Sequence, residues 1–211
     1  MQKSQKKEQL RNEILLAASI YSKELAGKSF LYVYGEEYFE VLFKTDRFVH
    51  LTGVASNLSA QDFYDKAKSG ILTTNQFYFN ERHPFANAKS KLPCLQKLPI
   101  LTTSLVCVVK DLTTVTLTYK LGVTNLKFTL GLTEYASEPG LVYLPRTLRV
   151  RDKAIENSGE SEFVDFIFVR DGAAERYSQV AFASERKDVP EMVYQKLNEE
   201  LRQQFAFTVP V

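Results

Sequence analysis

The sequence predicts an α+β fold in which helices pack on a mainly antiparallel β-sheet, with a helix at each end of the chain. Helical periodicity flanks an aromatic hairpin in the first hundred residues. After Leu101, short β-branched and apolar runs follow one another with turn residues between them. Strands therefore do not alternate regularly with helices, which argues against a doubly wound parallel sheet.

The first predicted elements are a helix and a hairpin. Apolar side chains recur every three or four residues in the N-terminal segment, 1–24, and Gly27 provides a C-cap. Two aromatic runs, 30–34 and 38–43, follow on either side of a three-residue turn that begins at Gly35. This pattern is typical of a β-hairpin.

A short strand and two helices are predicted next. The strand covers 48–51 and ends before a glycine turn. A helix opens at Ser59, whose hydroxyl can cap the first turn, and closes at Gly70. A second helix covers 85–95, and Pro93 must end or kink it.

The second half is predicted to supply most of the sheet and a terminal helix. A further hairpin turns at Asp171-Gly172. The tail is predicted to be one helix, capped by Asp188 and with Pro190 in its first turn, and its apolar face consists of Val193, Leu197 and Leu201. Four antiparallel strands are expected at 104–110, 114–121, 125–131 and 141–150.

Composition indicates one ordinary globular domain over residues 1–211. The chain is 45% apolar and 25% charged, and no Gly/Ser/Pro-rich linker divides it. It shows no leading signal sequence and no apolar run of about 20 residues, so we expect a cytoplasmic protein without a membrane span. Cys94 and Cys107 lie in apolar surroundings and are expected to remain unpaired thiols.

Most signatures of cofactor and metal enzymes are absent from the sequence. It contains no Gly-rich phosphate loop, no His-Glu-x-x-His helix and no paired Cys-x-x-Cys motif. Its carboxylates are scattered rather than clustered. We therefore expect neither a cofactor nor a metal site.

The two histidines of the chain are the first candidates for chemistry. His50 is predicted at a strand end, with Thr52 two residues later on the same face. An imidazole titrates near neutral pH and can act as a general acid or base. The alternative is a structural histidine that hydrogen-bonds to backbone.

The second histidine has a cationic and aromatic setting. His83 follows Arg82 and the aromatic run 77–79. These residue types suit a phosphate and a stacked base, although the aromatics are also consistent with plain core positions.

Three further cations complete the candidate set: Lys120 on a threonine-rich strand face, and Arg146 and Arg149 on a nearby strand. Each can hold phosphate, and each is equally consistent with an ordinary surface charge.

The order of these segments resembles a known group of nucleases. The resemblance covers roughly residues 25–185 and leaves the N-terminal helix (1–24) and the tail (186–211) outside. It involves the phage and mobile-element members of the Barnase–EndoU–Colicin–RelE superfamily, the BECR fold. The segments that carry it are 30–34, 38–43, 50–53, 59–70, 75–79, 82–84, 119–122, 124–128 and 145–149.

The resemblance implies a toxin-like, metal-independent ribonuclease that acts in a bacterial host. In such enzymes the ribose 2′-hydroxyl attacks the adjacent phosphate, which requires a base, an acid and cations around the phosphorane. His50 would then serve as base or acid beside Thr52, with Arg82 and Lys120 stabilising charge. The remaining candidates, His83, Arg146 and Arg149, would bind the RNA.

A second hypothesis is a non-catalytic phage or prophage protein that binds and inhibits a host defence or nucleic-acid-handling factor. The net charge of +2 favours it slightly, because nucleic-acid-binding domains usually carry a strong positive charge. A third reading treats every histidine and arginine as structural. The three readings predict different positions for the candidate side chains.

Overall fold

The computed structural model describes residues 3–113, 118–137, 141–150, 161–186 and 188–208, and it confirms the α+β fold. Two 3-10 turns, Thr45–Arg47 and Thr74–Gln76, link some of its elements. The helices are α1 (Lys3–Glu24), α2 (Phe48–Thr52), α3 (Ala60–Lys68), α4 (Phe85–Leu95), α5 (Ile100–Thr103), α6 (Glu191–Tyr194) and α7 (Glu199–Arg202). The strands are β1 (Lys28–Tyr34), β2 (Glu37–Leu42), β3 (Ala55–Ser56), β4 (Phe77–Tyr78), β5 (Cys107–Thr113), β6 (Thr118–Thr124), β7 (Phe128–Glu134), β8 (Val142–Val150), β9 (Ser161–Phe163), β10 (Phe166–Asp171), β11 (Gln179–Ala183), β12 (Asp188–Pro190) and β13 (Ala206–Thr208).

Nine of these strands form one sheet in the order β11-β10-β1-β2-β8-β7-β6-β5-β9. Neighbouring strands run antiparallel, apart from β2 and β8, which pair in parallel over a short stretch. Two small sheets lie beside it: β3 pairs antiparallel with β4, and β12 pairs parallel with β13. The mainly antiparallel sheet agrees with the sequence prediction.

The strand β1, third from one edge of the sheet, is covered on both faces. Phe30, Tyr32 and Tyr34 belong to the main core, which also contains buried side chains of α1, α3 and α4. Leu31 and Val33 point to the other face and join a second cluster with side chains of the C-terminal segment. Burial on both faces explains why this strand is a continuous apolar run instead of an alternating one.

A buried carboxylate connects the second face of the sheet to the C-terminal segment. The Glu40 side chain on β2 is 7% exposed and pairs with Arg170 at 3.2 Å and with Lys196 at 3.1 Å. Burial by itself raises the pKa of Glu40, but the nearby Tyr177 hydroxyl and the two cations bring that pKa below its ordinary value. Glu40 is therefore ionised and holds the segment that carries Lys196 against the sheet.

The predicted strand at 48–51 is wrong, because this segment forms α2. Phe48 and Leu51 are buried at helical spacing, whereas His50 between them is exposed. Gly53 ends the helix with φ of +79°, a left-handed conformation that glycine adopts without strain. A helix this short gives too few residues for its period to be distinguished from that of a strand.

The predicted apolar face of the C-terminal segment is confirmed, but the prediction of a single C-terminal helix is wrong. Val193, Leu197 and Leu201 are buried as expected. The tail nevertheless forms two short helices, α6 and α7, because Asn198 caps a new helix through a hydrogen bond from the Leu201 backbone. Asp188 and Pro190 lie in β12 instead of capping one continuous helix.

Several other boundaries differ from the predictions by a few residues. The strands β5, β6 and β7 lie about three residues later than predicted, and residues 114–117 of the predicted second strand lie outside the described chain. The helix α4 continues through Pro93, near its C-terminal end. Both early predictions, the β1–β2 hairpin and the Ser59-capped α3, are confirmed.

Two general expectations can be compared with the structure. Cys94 and Cys107 form no disulfide. Within the described ranges, no helix has the length and apolar character that a membrane crossing requires.

Candidate active site

The position of His50 is set by the packing of α2. The turn Thr45–Arg47 leads directly into this helix. The buried residues Phe48 and Leu51 of α2 anchor the helix to the main core. Since His50 lies between the buried positions, its imidazole is left on the exposed side. Gly53 then lets α4 approach closely: a Cβ at Gly53 would lie 3.0 Å from Lys91 Cδ and 3.3 Å from the Ala88 backbone.

A tight turn places the second histidine next to α2. The β3–β4 pairing brings the chain after Tyr78 alongside the chain after α2. The Asn80 side-chain oxygen then accepts a hydrogen bond from the His83 backbone N–H at 2.8 Å, and their backbones bond to each other in both directions. This turn fixes Arg82 and His83 at the entrance to α4.

Both histidines of the chain line one open cavity of about 380 Å³. Arg82 lies at the same cavity, as do the exposed ring of Tyr78 and the side chain of Asn80. His50 and Arg82 are exposed, and His83 is half-buried. The remaining lining residues are Val49, Val54, Ala55, Ser56, Leu58 and Ala60.

The electrostatic surroundings favour the neutral form of His50. The protein atoms that displace solvent from part of the ring lower the pKa of His50, and the charges of Arg146 and Arg47 lower it further. Asp46 acts in the opposite direction but is paired with Arg47 at 3.3 Å. His50 is therefore predominantly neutral at pH 7 and can accept a proton.

Two arginines at or near this cavity have no acidic partner among the described residues. No described carboxylate forms an ion pair with Arg82 or Arg146, and both are exposed. By contrast, Arg170 and Arg186 elsewhere in the molecule are held by carboxylates. The guanidinium groups of Arg82 and Arg146 can thus bind an anion without first breaking an ion pair within the described chain.

Lys91 is a charged residue near the site that sequence reasoning missed. It is half-buried on α4, and its stem packs across Gly53. Burial and the neighbouring charge of Arg149 lower the pKa of Lys91 to about 8. It lies three residues after the buried Ala88 and shares that helix face, but only the packing of α4 against Gly53 shows that its stem is covered.

Thr52 does not share a face with His50, contrary to prediction. It is fully buried, and its hydroxyl donates to the Val49 carbonyl oxygen at 2.7 Å and accepts from the Val54 N–H at 3.3 Å. The error follows from the element: residues two apart share a face in a strand, but lie on different sides of a helix. Thr52 stabilises the end of α2 and does not line the cavity.

The last two predicted cations, Arg149 and Lys120, belong to strands of the main sheet, β8 and β6. Arg149 pairs in register with Thr129, while the preceding residue Leu148 pairs with Leu130 in the main core. The charge of Arg149 acts on Lys91 of α4, and Arg149 is not among the described residues that line the cavity. For Lys120 the structure describes the backbone, in β6, and the side chain lies outside the described residues.

The site thus combines two imidazoles with guanidinium groups, a set that can move protons and hold an anion. Within the described part of the chain, no group of three or more His, Cys, Asp or Glu side chains could hold a metal ion. The structure brings together His50, Arg82 and His83, with Arg146 close enough for its charge to act on His50.

Comparison with known families gives one match. The model of a family described as phage-Barnase-EndoU-ColicinE5/D-RelE like nuclease 4 matches residues 13–201. Neither the curated proteins nor the solved structures gave a match. The matched range exceeds the resemblance noted from the sequence, since it begins within α1 and ends within α7.

Proposed function

Because the chain belongs to the phage-Barnase-EndoU-ColicinE5/D-RelE like nuclease 4 family, we propose that it is a metal-independent endoribonuclease. It cleaves RNA through attack of a ribose 2′-hydroxyl on the adjacent phosphate. A phage or prophage enzyme of this toxin-like type acts in the cytoplasm of the bacterial host, where its RNA substrate is found. Lys120 remains a further cation proposed for phosphate, and Arg149 a further contact for the RNA.

The observation that carries the proposal is the meeting of the two histidines. The chain has two in 211 residues, and the fold places both at one cavity together with Arg82. Cleavage by an internal 2′-hydroxyl needs one group to take a proton and another to give one. Two imidazoles at one open cavity meet that requirement.

The two histidines take complementary roles in the proposed mechanism. His50, whose pKa is lowered, takes the proton of the 2′-hydroxyl as the new bond from the 2′-oxygen to phosphorus forms. His83, in its protonated form, gives a proton to the 5′-oxygen as the phosphorus–oxygen bond to it breaks. The products are a 2′,3′-cyclic phosphate and a 5′-hydroxyl end, so the proton count balances.

The arginines bind the non-bridging phosphate oxygens. Negative charge accumulates on these oxygens in the phosphorane, and fixed cations stabilise it in the transition state. Arg82 lines the cavity, and Arg146 acts on His50 from β8. The positive potential is therefore local, which is compatible with a net charge of only +2.

The test is cleavage of a labelled single-stranded RNA in the presence of EDTA, with analysis of the ends. We expect 2′,3′-cyclic phosphate and 5′-hydroxyl products, and none from the same sequence with 2′-deoxyribose. The variant His83→Ala should lose most of the activity, while Lys23→Gln, a change of an exposed residue at the far end of α1, serves as control. Strict dependence on a divalent ion would refute the mechanism.

A second candidate function is supported by the weak overall charge of the chain. In that case the protein is a non-catalytic phage or prophage protein that binds a host protein factor. It would then leave every RNA intact at high protein concentration. The same cleavage assay separates the two candidates.

A further inference from the structure

A second cavity adjoins the candidate active site. It measures about 390 Å³, within the range of roughly 300–1,000 Å³ common for small-ligand sites. Tyr78 lines both this cavity and the one that holds the histidines. The other lining residues are Lys6, Lys7, Phe79 and Phe85.

We propose that this second cavity binds one unpaired nucleobase of single-stranded RNA, next to the cleaved phosphate, and that Tyr78 stacks on that base. The proposal rests on the proposed ribonuclease function. It extends that function by assigning substrate-binding roles to Tyr78, Lys6 and Lys7.

The aromatic residues form a fixed apolar wall. Phe79 contacts Phe85 edge to face with ring centroids 5.2 Å apart, and also contacts the buried Phe77 at 6.1 Å. Tyr78, between Phe77 and Phe79 in sequence, is 45% exposed because alternation in β4 turns it away from the core. An exposed ring beside an ordered aromatic wall offers a stacking surface for a base, worth about 1–3 kcal/mol per base.

Positive charge lies along one side of the second cavity. Lys6 and Lys7 come from the first turns of α1, and the Lys7 amine sits over the Phe77 ring, 5.1 Å from its centroid. None of the residues described as lining the cavity is acidic. A further cavity shares Lys6 and Phe85 with this one and is lined by Lys89 and one carboxylate, Glu13. Two cations without a carboxylate at the second cavity suit a flanking phosphate.

Tyr78, which lines both cavities, connects base binding to cleavage. From Tyr78 the chain runs through Phe79 into the turn that carries Arg82 and His83. A base stacked on Tyr78 therefore lies next to the cavity of the two histidines. Lys6 and Lys7 are then on the outer side, where a flanking phosphate would lie.

The experiment is binding of a fluorescently labelled oligonucleotide of uniformly 2′-O-methylated RNA, which cannot undergo internal cleavage, followed by anisotropy. Tyr78→Ala should weaken binding at least fivefold, which corresponds to the lower limit of the stacking energy. Tyr78→Phe should bind within about twofold of the wild type. Phe163→Ala, which removes an exposed ring on β9, is the matched control and should have no effect.

An abasic position in the oligonucleotide identifies the contact. If Tyr78 stacks on a base, one abasic site should remove most of the difference between the wild type and Tyr78→Ala. Lys6→Gln should reduce the salt dependence of binding, by a slope of about 0.7 for one phosphate contact on a single strand. Lys23→Gln, on the same helix, should leave that slope unchanged.

The outcomes separate this proposal from the proposed activity. If RNA is cleaved but Tyr78→Ala changes neither Kd nor kcat/KM, the base site is refuted and the activity stands. If RNA is bound through Tyr78 but never cleaved, the ribonuclease activity is refuted and the base site stands. A wild-type protein that binds no single-stranded oligonucleotide overturns the base site.

Discussion

Thr52 and His50 lie two residues apart in α2 but in opposite environments. The Thr52 hydroxyl is buried and makes two backbone hydrogen bonds, whereas the His50 ring is exposed. Thr52→Val keeps the shape but removes both bonds, and should lower the free energy of unfolding by about 1–3 kcal/mol. Urea denaturation measures the loss. A stable variant with reduced RNA cleavage would show instead that the hydroxyl serves the reaction.

Lys91 should make stability depend on pH in the alkaline range. Its pKa is about 8 in the folded protein and 10.5 in an unfolded chain. Between these values the unfolded state holds a proton that the folded state has released, so stability rises with pH. Between pH 8 and 9.5 the gain of the wild type relative to Lys91→Met should be about 1–2 kcal/mol. Parallel stability curves for the two proteins would contradict this.

Residue type and local order singled out part of the candidate site. Arg82, His83 and His50 were identified from the sequence, and the fold brings all three to one cavity. Lys91 was missed because its significance depends on burial between elements distant in sequence. Tyr78 was not singled out within its aromatic run, since only the β4 pairing determines which ring is exposed.

At the scale of elements, the contact between α2 and α4 depends on Gly53. Gly53 and Gly70 have similar positive φ values, +79° and +76°, but a Cβ would meet close atoms only at Gly53. Gly70→Ala should therefore cost roughly 1–2 kcal/mol from the backbone alone. Gly53→Ala should cost about 1–3 kcal/mol more from overpacking.

Thermal denaturation of the two glycine variants checks this difference, and Gly70→Ala serves as the matched control. Gly53→Ala should also slow RNA cleavage, because α4 must shift relative to the helix that carries His50. Equal destabilisation by the two substitutions would mean that the close approach of α4 has no energetic importance.

The elements that could be predicted are those with a local signal. The β1–β2 hairpin has aromatic strands on both sides of a turn, and α3 has its own cap at Ser59. The helix α2 is too short for its period to be recognised, although Gly53 ends it. In the C-terminal segment the apolar period continues across the break, and the cap at Asn198 was not recognised.

At the scale of the molecule, Glu40 connects the sheet to the C-terminal segment. Glu40→Gln removes the charge that Arg170 and Lys196 balance, and should cost roughly 1.5–3 kcal/mol. The matched control is Glu37→Gln on the same strand: Glu37 pairs with Lys110 but is 60% exposed, so its loss should cost less than about 1 kcal/mol.

The contribution of Glu40 to the stability of the wild type should depend on pH, because the pKa of Glu40 is lowered. The folded pKa of Glu40 lies below its ordinary value of 4.5. The stability from Glu40 is thus fully present above pH 4.5 and is lost as the pH falls through the folded pKa. Chemical denaturation at several acidic pH values should show that loss in the wild type relative to Glu40→Gln. Equal acid sensitivity of the two proteins would contradict the buried ion pairs.

The two faces of the sheet have different roles in this account. The face with the main core carries α2 and α4 and so builds the site, whereas the other face binds the C-terminal segment. The sequence predicted the antiparallel sheet, but the sharing of β1 between two cores requires knowledge of the strand order. That order is a long-range property which local patterns do not encode.

The most direct test of the central claim is the pH dependence of kcat/KM for RNA cleavage in EDTA, by the wild type and by His50→Ala. With His50 as base, the wild-type value should rise with pH and then level off, with the midpoint of the rise below pH 6.5, because the pKa of His50 is lowered from that value. His50→Ala should be slower by about 10²–10⁴-fold and lack this rise, at nearly unchanged stability. If His50→Ala cleaves RNA as fast as the wild type, and with the same fall in kcat/KM at low pH, the account is contradicted.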